Sequence, residues 1–86
     1  MNDNYTGMLA RSAAGHDKGK IYVIIAADSA YVYLVDGKSR TLEKPKKKKQ
    51  KHIQIIKDRY DIRGTDDAGI RRIVRDWKKE EVKQED

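Results

Sequence analysis

Ile21-Tyr22-Val23-Ile24-Ile25-Ala26-Ala27-Asp28-Ser29-Ala30-Tyr31-Val32-Tyr33-Leu34-Val35-Asp36-Gly37 places two short apolar runs on either side of a polar break. Ile21 to Ala27 is rich in β-branched residues, carries Tyr22, and is too short for a stable helix, so it reads as a strand. Asp28-Ser29-Ala30 supplies turn chemistry, because a short polar side chain can bond the backbone ahead of it. Tyr31 to Val35 is then the return strand, closed by Asp36-Gly37, a dipeptide that favours a tight turn. Together they predict a β-hairpin.

Working outward, Met8-Leu9-Ala10 opens an apolar strand that ends at Arg11-Ser12, behind a flexible lead-in at 1–6. Ala13 to Lys20 places Gly15 and Gly19 four apart among polar residues, the mark of a tight exposed loop. Beyond Gly37 the chain turns cationic, interrupted by Leu42 and by Pro45, the only proline. Pro45 and the like charges after it disfavour regular pairing, so 44–50 reads as a solvated basic loop. His52 to Ile56 is another strand, with Ile53 and Ile55 on one face, and Arg59 to Arg63 a last short one. The period then changes. Ile70, Ile73, Val74 and Trp77 fall at i, i+3, i+4 and i+7, one stripe of an amphipathic helix. Thr65 or Asp66 caps it, Arg72 and Asp76 are spaced to pair on its outer face, and the helix spans 66–81 within a segment 65–82. The tail 83–86 should fray. Short strands, glycine turns and one terminal helix predict a mainly β fold over 7–64: a small barrel, for which an SH3-like barrel fits the length best.

Composition limits the function. The chain has 86 residues, room for one domain, and no cysteine, which removes disulfides and thiolate metal sites. No apolar run reaches membrane-spanning length, and Met1 to Tyr5 lacks the basic-then-apolar order of a secretory leader, so a soluble cytoplasmic protein is expected. The formal net charge is +6, from 20 Lys and Arg against 14 Asp and Glu. Its distribution is more telling than its size. Lys38, Arg40, Lys44, Lys46, Lys47, Lys48, Lys49 and Lys51 stand against Glu43 alone, so residues 38–51 carry +7 and the rest carries −1. A near-neutral body with one cationic stretch is the footprint of a polyanion binder.

Gly7 to Ile25 resembles a KOW motif: an apolar strand, a Gly-x-Asp-Lys-Gly-Lys loop from Gly15 to Lys20, then a second apolar strand. Gly19 would supply a backbone conformation that side chains resist, with Lys18 and Lys20 flanking the turn and facing outward. The hairpin ending Tyr33-Leu34-Val35-Asp36-Gly37-Lys38, the run Lys44-Pro45-Lys46-Lys47-Lys48-Lys49 leading into Lys51-His52-Ile53, and a helix opening Thr65-Asp66 with Ile70-Arg71 extend the likeness. Over roughly residues 7–80 the chain is similar to the large-subunit ribosomal protein fourteen-e family and its small bacterial KOW relatives. The resemblance implies an SH3-like barrel that binds RNA, usually in a ribosomal setting.

The candidate RNA-binding residues follow from both lines. They are the loop Gly15, His16, Asp17, Lys18, Gly19 and Lys20, the preceding Arg11 and Ser12, the eight cations of 38–51, and His52. Lysines act as point charges, so they should give affinity with little sequence reading and a strong salt dependence. Tyr22, Tyr31 and Tyr33 either stack bases or fill the sheet faces, and Trp77 belongs to the core. No enzymatic activity, catalytic residue, metal, cofactor or small-molecule substrate is expected. The two histidines are isolated, Ser12, Ser29 and Ser39 lie outside any nucleophile motif, and Asp66-Asp67 and Glu80-Glu81 read as a helix start and a solvated end. Two alternatives stay open: a KOW-type protein-interaction module of the transcription and translation machinery, and a non-specific binder of duplex DNA.

Overall fold

The strands form where apolar side chains have two faces to fill. In the computed structural model, which describes residues 5–83, β1 (Met8–Ser12), β2 (Ile21–Ala27), β3 (Tyr31–Val35), β4 (Lys46–Lys49) and β5 (Ile53–Arg59) make one antiparallel sheet, followed by α1 (Asp67–Lys83). The strand order is β4-β3-β2-β1-β5. Four consecutive residues of β2, Ile21 to Ile24, are buried, as a central strand covered on both faces requires. Ile21 and Val23 pack with Leu9, Val35 and the Ile70, Val74 and Trp77 stripe of α1. Tyr22 and Ile24 turn the other way, onto Ala10, Val32 and Leu34. The fold is mainly β with one C-terminal helix.

The sheet must curl. Its edge strands β4 and β5 are joined only by the short 3-10 turn Gln50–His52. Four residue steps reach about 14 Å when fully extended, whereas five flat strands hold their outer members about 19 Å apart. A bulge at Ile25 in β2 and extra residues in β5 between Ile56 and Arg59, opposite Leu9 and Met8, supply the bend. Ala13 N–H donates to the His52 carbonyl at 2.8 Å and Gln50 N–H to the Ala30 carbonyl at 2.8 Å, which ties the closing turn to both ends. The result is consistent with a small barrel.

Two expected elements differ. Residues 44–50 are not a loop, because Lys46 to Lys49 pair in register with Leu34, Tyr33, Val32 and Tyr31. Pro45 stands just before the first paired residue, where its missing N–H breaks no ladder bond. Nor do Arg59 to Arg63 form a strand of their own. β5 runs on to Arg59, after which Tyr60 and Ile62 fold back onto the first core and Arg63 clasps Asp61 through Nε and Nη2 at 3.0 and 2.9 Å. Asp66 caps α1 as expected, its carboxylate accepting Gly69 N–H at 2.9 Å. Asp76 lies 3.5 Å from Arg75 rather than against Arg72. Of the expected lead-in 1–6, Tyr5 packs on the second core; residues 1–4 and 84–86 lie outside the described residues.

Candidate nucleic-acid interface

The glycine loop is built around Asp17. β1 and β2 close on each other through Ser12 N–H to the Lys20 carbonyl at 2.9 Å and Gly19 N–H to the Ser12 carbonyl at 2.8 Å. Gly19 turns the chain with φ +90°, a conformation that costs an L side chain strain. The turn folds the Asp17 carboxylate inward, where it accepts from the Ser12 hydroxyl at 2.7 Å and the Tyr22 hydroxyl at 2.8 Å. Lys46 and Lys48 arrive from β4 at 3.0 and 3.1 Å. Burial pushes this carboxyl upward, but the donors from Ser12, Lys46, Tyr22 and Lys48 outweigh it and hold Asp17 far below the usual carboxylate range. Tyr22 shifts the opposite way, raised by burial and by its acceptor.

β4 therefore has two kinds of lysine. Strand alternation puts Lys46 and Lys48 on the face of Leu34 and Val32, and both are drawn onto Asp17. Lys48 is the more enclosed, with a side chain 11% exposed and a second bond to the Ala14 carbonyl at 3.0 Å. Lys47 and Lys49 point to the other face, opposite Tyr33 and Tyr31, and are exposed. Lys47 Nζ sits 4.3 Å from the centre of the Tyr31 ring, a cation–π contact. Asp28 lies near the same end, where the Ala30 and Tyr31 N–H groups lower its carboxyl and the Tyr33 hydroxyl donates to it at 3.3 Å.

Lys38 to Lys44 form a third environment. Asp36, buried, organises their turn by accepting from the Lys38 and Arg40 N–H groups, both at 2.9 Å, and from the Ser39 hydroxyl at 3.2 Å. Lys20 completes the site with an ion pair at 2.8 Å. Burial raises the Asp36 carboxyl, yet Lys20 and the two N–H groups bring it down to about 2. The turn then hands the chain to α1 through Leu42 N–H, which donates to Asp67 at 2.9 Å.

The structure thus joins two features that the sequence shows separately, the glycine loop and the lysine run, through Asp17. It also divides the lysine run three ways. Gly15, His16, Lys18 and Gly19 are exposed, as are Lys38, Arg40, Lys44, Lys47, Lys49 and Lys51. His52 is half-buried on the closing turn beside Ala13. Ser12 is buried and donates its hydroxyl to Asp17, which is half-buried beneath the loop. Lys20 does not project freely, as expected of it, but is held by Asp36. Arg11 lies on the helix side, 5.9 Å from the Trp77 ring. Tyr22 is a core residue, whereas Tyr31 and Tyr33 remain partly open. Sequence reasoning missed Arg71, Arg75 and Lys78, which stand beside Lys20 and Lys38. Their signal was legible as a cationic row at i, i+4 and i+7. Among protein-family models and curated proteins, no match to this chain is found.

Proposed function

We propose that this chain is a non-enzymatic, cytoplasmic RNA-binding protein, ribosomal or ribosome-associated, related in kind to the KOW barrels it resembles. One observation carries the reading. The glycine loop, the lysine strand and the closing turn converge around residues 13–17, where Lys46 and Lys48 bring two positive charges to a single carboxylate. Lys18 and Lys51 stay exposed on the loop and the closing turn of that junction, and Lys47 and Lys49 on the opposite face of β4. Such a surface suits the phosphates of a folded RNA, and the partly exposed Tyr31 and Tyr33 rings beside Lys47 suit an unpaired base. Among the described residues no helix is long and apolar enough to cross a membrane.

The test is a salt series with a structured ribosomal RNA fragment, a matched DNA duplex, and a variant carrying Lys18→Gln, Lys47→Gln, Lys49→Gln and Lys51→Gln. RNA binding should weaken in the variant, with a log–log salt slope shallower by about 3. Equal affinity for the DNA duplex would favour the non-specific reading. Unchanged affinity and slope in the variant would overturn the interface. Co-sedimentation with ribosomal subunits at moderate salt then tests the ribosomal setting.

A further inference from the structure

A second cationic surface lies on the helix side of the sheet and adjoins the glycine loop at Lys20. Between α1 and the turn after β3 runs a groove of about 380 Å³, lined by Lys20, Lys38, Arg71, Arg75 and Lys78, with Asp36 its one acid. That acid is already matched by Lys20 at 2.8 Å. Arg71 donates one Nη1 bond to the Gly37 carbonyl at 2.6 Å and keeps its remaining donors. Arg75 meets Asp76 at 3.5 Å with both side chains more than half exposed, a contact that water screens. Among the described residues, Lys38 and Lys78 have no acidic partner.

Arg71, Arg75 and Lys78 line the groove from α1, with Asp76 beside Arg75, whereas Glu80 and Glu81 lie with Asp58 and Arg59 around Trp77. Three cations along one stretch of helix, facing Lys20 and Lys38, concentrate positive potential in one concavity. Gly37 lets the turn approach the helix closely: a Cβ there would collide with the Asp67 carbonyl and meet the Arg71 Cγ at 2.8 Å. The groove is therefore a fixed feature of how the helix docks.

We propose that this groove is a phosphodiester-binding site, through which the protein grips a second segment of the RNA backbone. The inference rests on the RNA-binding reading above. Arg71, Arg75 and Lys78 span about 10 Å of helix axis, comparable to a few successive phosphates of one strand. Arginine forks suit phosphate oxygens, and with no aromatic in the lining the groove grips backbone without reading bases. Lys20 belongs to both the groove and the glycine loop, so the two surfaces make one continuous track.

The experiment compares three full-length proteins against one structured RNA across a salt series: wild type, Arg75→Gln/Lys78→Gln, and Glu80→Gln/Glu81→Gln. The first variant should lose about tenfold in affinity at moderate salt, with a log–log slope shallower by about 1.5 and an unchanged melting midpoint. The second should leave the slope unchanged, because its charges lie off the track. Amide shifts of Lys38, Ser39 and Arg75 should saturate with the same RNA. An unaltered slope in the first variant, with the Lys18/Lys47/Lys49/Lys51 variant impaired, overturns the groove and leaves the RNA reading standing. Equal and opposite slope changes in the two helix variants also overturn it, since net charge alone would then explain them. A wild type that binds no RNA removes both readings.

Discussion

The β2–β3 hairpin and β4 are neighbours in one sheet, held there by opposite means. The hairpin is fixed by burial: Val23, Ile24, Val32, Leu34 and Val35 are fully excluded from water. β4 contains only lysine, and what fixes it on its inward side is one carboxylate that receives Lys46 and Lys48. Apolar contacts do not titrate, whereas an ion cluster depends on the protonation of its acid. Two halves of one sheet should therefore fail under different conditions.

The largest effect should come from removing the ionic half. Asp17→Ala leaves the nearly buried Lys48 and the Tyr22 hydroxyl without their acceptor, and loss of one partner from a buried pair costs about 4 kcal/mol. Leu34→Ala, the matching lesion in the hairpin, should cost about 3 kcal/mol. Denaturant melts at two pH values separate them. A carboxylate with a depressed folded pKa stabilises above its unfolded value and loses that contribution as pH falls toward the folded one. The Asp17→Ala penalty should thus shrink below pH about 4, while the Leu34→Ala penalty stays constant. Equal pH responses would erase the distinction.

A second way to break the hairpin is at its exit. Gly37 has φ +79°, and an added Cβ meets Asp67 and Arg71 of α1. Gly37→Ala should therefore cost about 2–3 kcal/mol from backbone strain and overpacking, with no dependence on salt. A thermal melt checks this, and a midpoint equal to wild type would mean that the helix does not dock tightly there.

Asp36 combines both kinds of stabilisation, being a buried acid just after β3 that is paired with Lys20. Its carboxyl is held at about 2 against an ordinary value of 3.8, so it contributes about 2 kcal/mol at neutral pH. That contribution is complete well above the unfolded value and is lost as pH falls from about 4 toward 2. Stability measured over this window should decline less steeply in Asp36→Asn than in wild type.

The same contrast explains what could be read from the sequence. The hairpin was legible because β-branched residues, turn residues and period carry the same message, and Ile21–Ala27 and Tyr31–Val35 stand where those signals put them. The stripe of α1 was legible for the same reason. β4 was not, since four identical side chains have no alternation to show which face is inward. Its order comes from Asp17, almost thirty residues earlier, and no local pattern encodes that partnership. The candidate site divided likewise: the glycine loop and the cationic excess were visible, but the sharing of the lysines between Asp17, the Tyr31 face and the helix groove needed the tertiary fold.

The smallest expected effect on stability is the sharpest probe of β4 itself. Within four residues the strand offers its own control, two lysines bound to Asp17 and two facing solvent. Lys47→Gln/Lys49→Gln removes charge without touching the carboxylate, so the melting midpoint should hold while RNA affinity falls roughly tenfold and the log–log salt slope drops by about 1.5. Lys46→Gln/Lys48→Gln should do the reverse. It leaves the half-buried Asp17 with fewer donors, lowers stability, and changes the salt slope little, because charges already paired release few counterions when RNA binds. If both pairs shift the slope equally, the inward lysines must leave Asp17 on binding. The carboxylate would then be a latch that RNA displaces, and the two faces of β4 one cationic surface with two resting states.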